Sequence, residues 1–126
     1  MDSERKLCDM RAALARMGGN AELLRQIIEL IRADLPMALN HLHSAISAGN
    51  SVDLERAAHS LQGIVVTFDS EAVLLPAQSL EQMAQQGDLS RAAELAEEVD
   101  REVARLDKEL LAELEMRGDS LLKSSP

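Results

Sequence analysis

Histidine is the residue type in this sequence best suited to chemistry near neutral pH, because imidazole can act as a nucleophile, a proton carrier or a metal ligand. The 126-residue chain has three histidines, His41, His43 and His59. A helical projection around His59 places five apolar residues on one side, and we predict that this side is buried. They are Leu54, Ala58, Leu61, Val65 and Phe68. His59 projects from the opposite side and is predicted to be exposed.

Three further residues share the predicted exposed side with His59. Gly63 follows it by one turn, Val66 by two turns, and Arg56 precedes it by one. A glycine within an exposed helix costs about 1 kcal/mol relative to alanine, so its position next to a histidine needs an explanation. It could give a partner protein close access to the ring, with Val66 as an apolar contact, or it could relieve crowding or be neutral. The pattern alone supports the two interpretations about equally.

The other polar and reactive residues give weaker patterns. His41 and His43 are two positions apart on a predicted helix, so they point to different sides and do not suit a metal site. The acidic run of Glu94, Glu97, Glu98 and Asp100 lacks histidines at ligand spacing and is predicted to be a solvated face. Cys8 is interpreted as a small core residue, because no basic partner can be assigned to it.

The residues that position His59 form a series of amphipathic helices. Apolar residues recur at three- and four-residue spacing in successive segments separated by Gly18-Gly19, Gly49-Asn50-Ser51, Asp69-Ser70 and Gln86-Gly87-Asp88. Pro36 either begins a new helix, early in its first turn, or kinks a continuous one. Short connections favour antiparallel neighbours, so we predict an all-α, up-down four-helix bundle with a short additional N-terminal helix. One domain is predicted over residues 1–118, with the last helix ending at Gly118 and a disordered tail over 119–126.

Composition narrows the classes of function and location. The formal net charge of −9 argues against nucleic acid or an anionic membrane as the partner, because both attract clusters of Lys and Arg. Cys8 is the only cysteine, and the first residues have no apolar signal core. No apolar stretch is long enough to cross a bilayer. We therefore expect a cytoplasmic protein, and a monomer, since the apolar stripes can satisfy one another within one bundle.

Several short motifs in this helical setting resemble the histidine-containing phosphotransfer (HPt) family of two-component phosphorelays. The central motif is Ala58-His59-Ser60-Leu61-Gln62-Gly63. The others are Gly18-Gly19-Asn20 with Glu22-Leu23-Leu24, Asp34-Leu35-Pro36, Ala48-Gly49-Asn50 and Ser79-Leu80-Glu81. The resemblance extends over roughly residues 10 to 110.

The resemblance implies a phosphocarrier without kinase activity of its own. His59 matches the phosphoacceptor, which would exchange a phosphoryl group with receiver-domain aspartates or take it from a hybrid histidine kinase. Gly63 matches the small residue that makes room for the receiver, and Arg56 and Val66 are expected to contact the partner. No cofactor is expected in this chain, since the resemblance implies that the receiver provides the divalent metal.

Two residues depart from the family pattern. The family usually has lysine at the position of Gln62, where its charge offsets the phosphoryl oxygens; glutamine can support the phosphoryl group only through hydrogen bonds. The family tends to have glycine where this chain has Asp69. The loss of charge at Gln62 leaves a second hypothesis open, that of an adaptor which binds a receiver or kinase without transferring phosphate. A bundle with no signalling role is the third.

Overall fold

The described part of the chain forms five α-helices and one short 3-10 helix. This computed structural model describes residues 8–124, with side chains described for residues 8–116. The helices are α1 (Met10–Arg16), α2 (Ala21–Ala48), α3 (Ser51–Val65), the 3-10 helix (Val66–Phe68), α4 (Glu71–Gln85) and α5 (Ala92–Ser124). α2 is one continuous helix through Pro36, so the proline does not begin a new one.

The four longer helices form a closed antiparallel bundle. α3 packs between α2 and α4, and α5 closes the bundle by packing against both α4 and α2. Two contacts between α3 and α4 show their opposite directions, because Glu55 meets Gln85 while Gln62, further along α3, meets the earlier Glu81. The short α1 lies against the 3-10 helix and α2. This arrangement confirms the predicted fold.

The core is built from the apolar stripes that the helical periodicity predicts. All five residues assigned to the buried side of the His59 segment are fully buried, and they pack with stripes from the other three long helices. Phe68, the one aromatic residue of the chain, is the largest fully buried side chain. Burial of a side chain of this size contributes about 2 to 3 kcal/mol, so this core fixes the rotation of α3 about its axis.

Asparagine side chains cap the N-termini of α2 and of α3, the helix that contains His59. The Asn20 side chain accepts a hydrogen bond from the Leu23 backbone N–H at the start of α2. Asn50 accepts one from the Asp53 N–H at the start of α3, over 3.0 Å. Each bond satisfies a backbone donor that the first turn leaves without a helical acceptor. Gly49, between α2 and α3, has a φ of 64°, the left-handed conformation that lets the chain reverse direction.

The turn between α3 and α4 contains Asp69 and Ser70, two residue types that commonly cap helices. Asp69 adopts a left-handed conformation with φ 51°, and its carboxylate pairs with Arg16 of α1 instead of capping α4. Arg16 also donates to the Thr67 carbonyl oxygen over 2.7 Å. Ser70 occupies the N-cap position, but its buried hydroxyl makes no capping bond. α1 therefore braces the turn that follows the His59 helix.

The last helix is longer than predicted. α5 continues through Gly118 to Ser124, so the predicted helix end at Gly118 is wrong, and the tail expected to be disordered over 119–126 is helical as far as Ser124. A single glycine costs a helix only about 1 kcal/mol, and no proline follows it until Pro126. Residues 1–7, at the start of the predicted domain, and residues 125–126, at the end of the predicted tail, lie outside the described residues.

Candidate functional site

His59 lies near the middle of α3 with its ring directed into solvent. Its side chain is 76% exposed, whereas Ala58 beside it is fully buried. The predicted exposure is confirmed, and it follows from the core, because burial of Leu54, Ala58 and Leu61 leaves His59 on the outer side of the helix. A macromolecular partner can therefore reach the imidazole without any rearrangement of the bundle.

A carboxylate from the neighbouring helix holds one nitrogen of this ring. Nδ1 of His59 lies 3.0 Å from Oε2 of Glu81, on α4. A carboxylate can only accept a hydrogen bond, so Nδ1 carries the hydrogen and donates it. In the neutral ring, Nε2 then bears the lone pair and faces away from the carboxylate. The contact therefore leaves Nε2 as the nitrogen with a free lone pair in the neutral ring.

Gln62 fixes the other side of the same carboxylate. Its amide nitrogen donates to Oε1 of Glu81 over 2.9 Å and to the backbone oxygen of Ala58 over 3.2 Å. An amide NH₂ has two hydrogens, so these bonds use both of them. The role predicted for Gln62, support of a phosphoryl group, would require one of the two bonds to break. In the structure Gln62 orients Glu81, and Glu81 orients His59.

Gly63 is exposed one turn beyond His59, and its surroundings exclude one of the explanations left open for this glycine. A Cβ placed on Gly63 would meet no heavy atom within 4 Å, counted outside its own helical turn and its chain neighbours. Crowding within the chain therefore does not explain the glycine. The clearance is on the outer surface, where only a partner molecule would use it.

Val66 and Arg56 extend the exposed face of His59 in the two directions along the chain. Val66 begins the 3-10 helix and is 52% exposed, an apolar side chain in contact with water. Arg56 is exposed one turn before His59 and lines the same surface hollow as His59 and Glu81. The structure thus brings together all five residues predicted for the site. Their roles stay predictions.

Glu81 is the site residue that the sequence did not identify as functional. It belongs to the Ser79-Leu80-Glu81 motif, but helical periodicity places residues only within one helix and gives no register between α3 and α4. The contact of Gln85, four residues later, with Glu55 of α3 shows the same facing side of α4, but it too is known only from the structure.

The remaining histidines, the acidic run and the cysteine lie elsewhere. His43 is exposed, with Nε2 2.9 Å from both carboxylate oxygens of Asp100, so it has a protein partner in addition to solvent. His41 is exposed on α2. No group of His, Cys, Asp and Glu in the part of the chain that the structure describes is arranged to hold a metal ion. Cys8 is buried, as predicted, with Sγ 3.2 Å from Oε1 of Glu109.

Two comparisons with known proteins find similarity to this chain. Residues 26–109 match the family described as Hpt domain. The solved structure of histidine-containing phosphotransfer protein B (HptB) from Pseudomonas aeruginosa PAO1 is similar, with a TM-score of 0.81 and 24% sequence identity. The match covers 87% of this chain and 96% of that one, and it shows a common fold. No curated protein matches the sequence. Among the described residues, no helix is long and apolar enough to cross a membrane.

Proposed function

This chain belongs to the Hpt domain family of histidine phosphotransfer proteins, and on that basis we propose that Nε2 of His59 is the atom that accepts and passes on the phosphoryl group. The observation that supports this assignment most strongly is the contact between Glu81 and Nδ1 of a 76% exposed histidine. It leaves one ring nitrogen hydrogen-bonded and the other free for an incoming phosphorus atom.

The proposed transfer exchanges one bond to phosphorus for another. Nε2 attacks the phosphorus of an aspartyl phosphate on a receiver domain, the N–P bond forms, and the P–O bond to the aspartate breaks as its carboxylate leaves. The ring then carries a positive charge shared over both nitrogens. Glu81 stabilises that charge through its hydrogen bond to Nδ1, and the reverse reaction returns the ring to its neutral form.

Receiver domains of response regulators and a hybrid histidine kinase are the partners that we propose. In such complexes this chain is the substrate, and the partner's active site supplies the catalysis and the divalent metal ion. Gly63 and Val66 would border the partner's active site, since both lie exposed on the His59 side of the bundle. We expect the chain to meet these partners in the cytoplasm as a monomer.

Transfer from a phosphorylated receiver tests the assignment. We expect wild-type protein to acquire phosphate that is labile in acid and stable in base, and the His59→Gln variant to acquire none. His43→Gln is a matched control, because His43 is also an exposed histidine beside a carboxylate, on a different helix. Equal labelling of wild type and His59→Gln would show that the site is wrong.

The bonds of Gln62 favour a second candidate, an adaptor that binds a receiver or a kinase without taking phosphate. Both amide hydrogens are already in use, and glutamine brings no charge to the phosphoryl group. An adaptor would bind the receiver equally well after His59→Ala and would show no phosphate on the wild-type protein. Phosphate on His59 that moves onward to a receiver would exclude this alternative.

A further inference from the structure

The two helices that form the site contain almost no positive charge. Among the residues of α3 and α4, Arg56 is the single lysine or arginine, and the 3-10 helix and turn between them add none. The carboxylates on the same two helices are Asp53, Glu55, Glu71 and Glu81. A phosphoryl group on His59 would add further negative charge to a surface that is already acidic.

Arg56 is positioned to meet that charge. It precedes His59 by three residues, a spacing that places the two side chains next to each other on the helix surface. Both line one hollow together with Glu55, Ser60 and Glu81. Arg56 makes no hydrogen bond or ion pair with any residue in the described part of the chain. Its guanidinium group is therefore free to bind an anion.

The other charged and amide groups around the hollow are already engaged, and Ser60 offers only an uncharged hydroxyl. Glu81 accepts from both His59 and Gln62, and Glu55 accepts from the side-chain amide of Gln85 over 3.4 Å. Gln62 has no free N–H to offer, as its two bonds show. Within α3 and α4, the donor that remains uncommitted and positively charged is Arg56.

We propose that Arg56 binds and neutralises the phosphoryl group on Nε2 of His59, one turn before it, and so replaces a cation at position 62. The inference rests on the proposed role of His59. A guanidinium group presents several N–H donors to phosphate oxygens in a planar fork, which makes it well suited to this contact. Arg56 thus acts within its own chain, before any partner binds, and this distinguishes it from a residue that only contacts the receiver.

The test uses the full chain without a partner. Phosphoramidate transfers its phosphoryl group to histidine as its P–N bond breaks and ammonia leaves, so the protein can be labelled chemically. Phosphorus NMR then follows the titration of the phosphoryl group on wild type, Arg56→Gln, Arg56→Lys and Arg101→Gln. Arg101 is an exposed arginine on α5, a helix that packs against α2 and α4, so its variant removes the same charge from another part of the surface.

A positive charge beside the phosphoryl group favours its doubly ionised form. We expect Arg56→Gln to raise the midpoint of the phosphoryl titration by about 0.5 pH unit, Arg56→Lys to restore most of the difference, and Arg101→Gln to leave the midpoint unchanged. Equal midpoints for wild type and Arg56→Gln, with phosphate present on His59, would overturn the role of Arg56 alone. Wild-type protein that takes no phosphate on His59 would overturn the proposed function and this inference together.

Discussion

Oε2 of Glu81 lies 3.0 Å from Nδ1 of His59, and this contact joins α4 to the outer face of α3. The carboxylate is largely shielded, with 20% of its side chain exposed, whereas the ring is 76% exposed. One partner is therefore anchored in the bundle and the other is accessible. The pair thus fixes the orientation of an imidazole that is exposed and would otherwise be free to rotate.

Replacement of Glu81 by alanine should slow phosphotransfer without unfolding the protein. The variant loses the bond that orients His59 and the negative charge that stabilises the phosphorylated ring. We expect a decrease of about tenfold in the rate of transfer from a phosphorylated receiver, which corresponds to about 1.4 kcal/mol. Glu97→Ala, at an exposed position on α5, is the control. A Glu81→Ala rate equal to that of wild type would show that the contact has no part in transfer.

Replacement of Gln62 by lysine should accelerate transfer by a few-fold. The ammonium group would add a positive charge near the phosphoryl group, but it would also pair with Glu81, whose Oε1 is 2.9 Å from the present amide nitrogen. The pairing with Glu81 limits the gain. Gln62→Leu is the comparison, because it removes the bond to Glu81 without adding charge, and it should be slower than wild type. A single-turnover rate that is higher for Gln62→Leu than for Gln62→Lys would contradict this account of position 62.

Replacement of Gly63 by alanine should have opposite effects on stability and on transfer. Outside its own helical turn and its chain neighbours, a Cβ at this position meets no heavy atom within 4 Å. Alanine should therefore raise the protein's free energy of unfolding by up to about 1 kcal/mol, because it favours a helix more than glycine does. Urea unfolding measures this gain. The added methyl group should nevertheless weaken transfer, and Gly63→Gln should weaken it further, because both occupy space beside His59. Unchanged transfer in Gly63→Gln would show that no partner uses the clearance.

At position 69, replacement by glycine should leave the protein more stable than replacement by alanine. Asp69 has φ 51°, a left-handed conformation that costs a residue with a Cβ about 1 kcal/mol, and its exposed pair with Arg16 contributes at most about the same amount. Asp69→Ala loses the pair and keeps the strained backbone, whereas Asp69→Gly loses the pair and relieves the strain. We expect alanine to be less stable than glycine by about 1 kcal/mol in urea unfolding. Equal stabilities would contradict the argument from backbone strain.

The sequence was sufficient to predict the helical bundle and the exposure of His59, because both depend on periodicity within single helices. Leu54, Ala58 and Leu61 repeat at helical spacing, so their burial determines where His59 points. The partner of His59 could not be placed in this way. Glu81 is 22 residues away on another helix, and its contact depends on the register between α3 and α4.

At Asp69 and Gly118 the observed structure differs from what the local residue types favour, and the two differences have a similar origin. Asp69 is a common helix-capping residue, but Arg16, 53 residues earlier, pairs with its carboxylate once α1 packs against the turn. Gly118 resembles a helix end, yet α5 continues to Ser124, since one glycine is a small cost in a helix of 33 residues. Local signals predict where a helix can end, while contacts elsewhere and small energy differences decide where it does.

The most direct measurement identifies the atom that carries the phosphoryl group in the phosphorylated protein. Protein phosphorylated by a receiver can be studied by NMR with nitrogen-labelled histidine, in which coupling to phosphorus identifies the bonded ring nitrogen. We predict a single phosphohistidine, at Nε2 of His59, with Nδ1 still protonated towards Glu81. Phosphate on Nδ1 of His59, or on His41 or His43, would contradict the central claim.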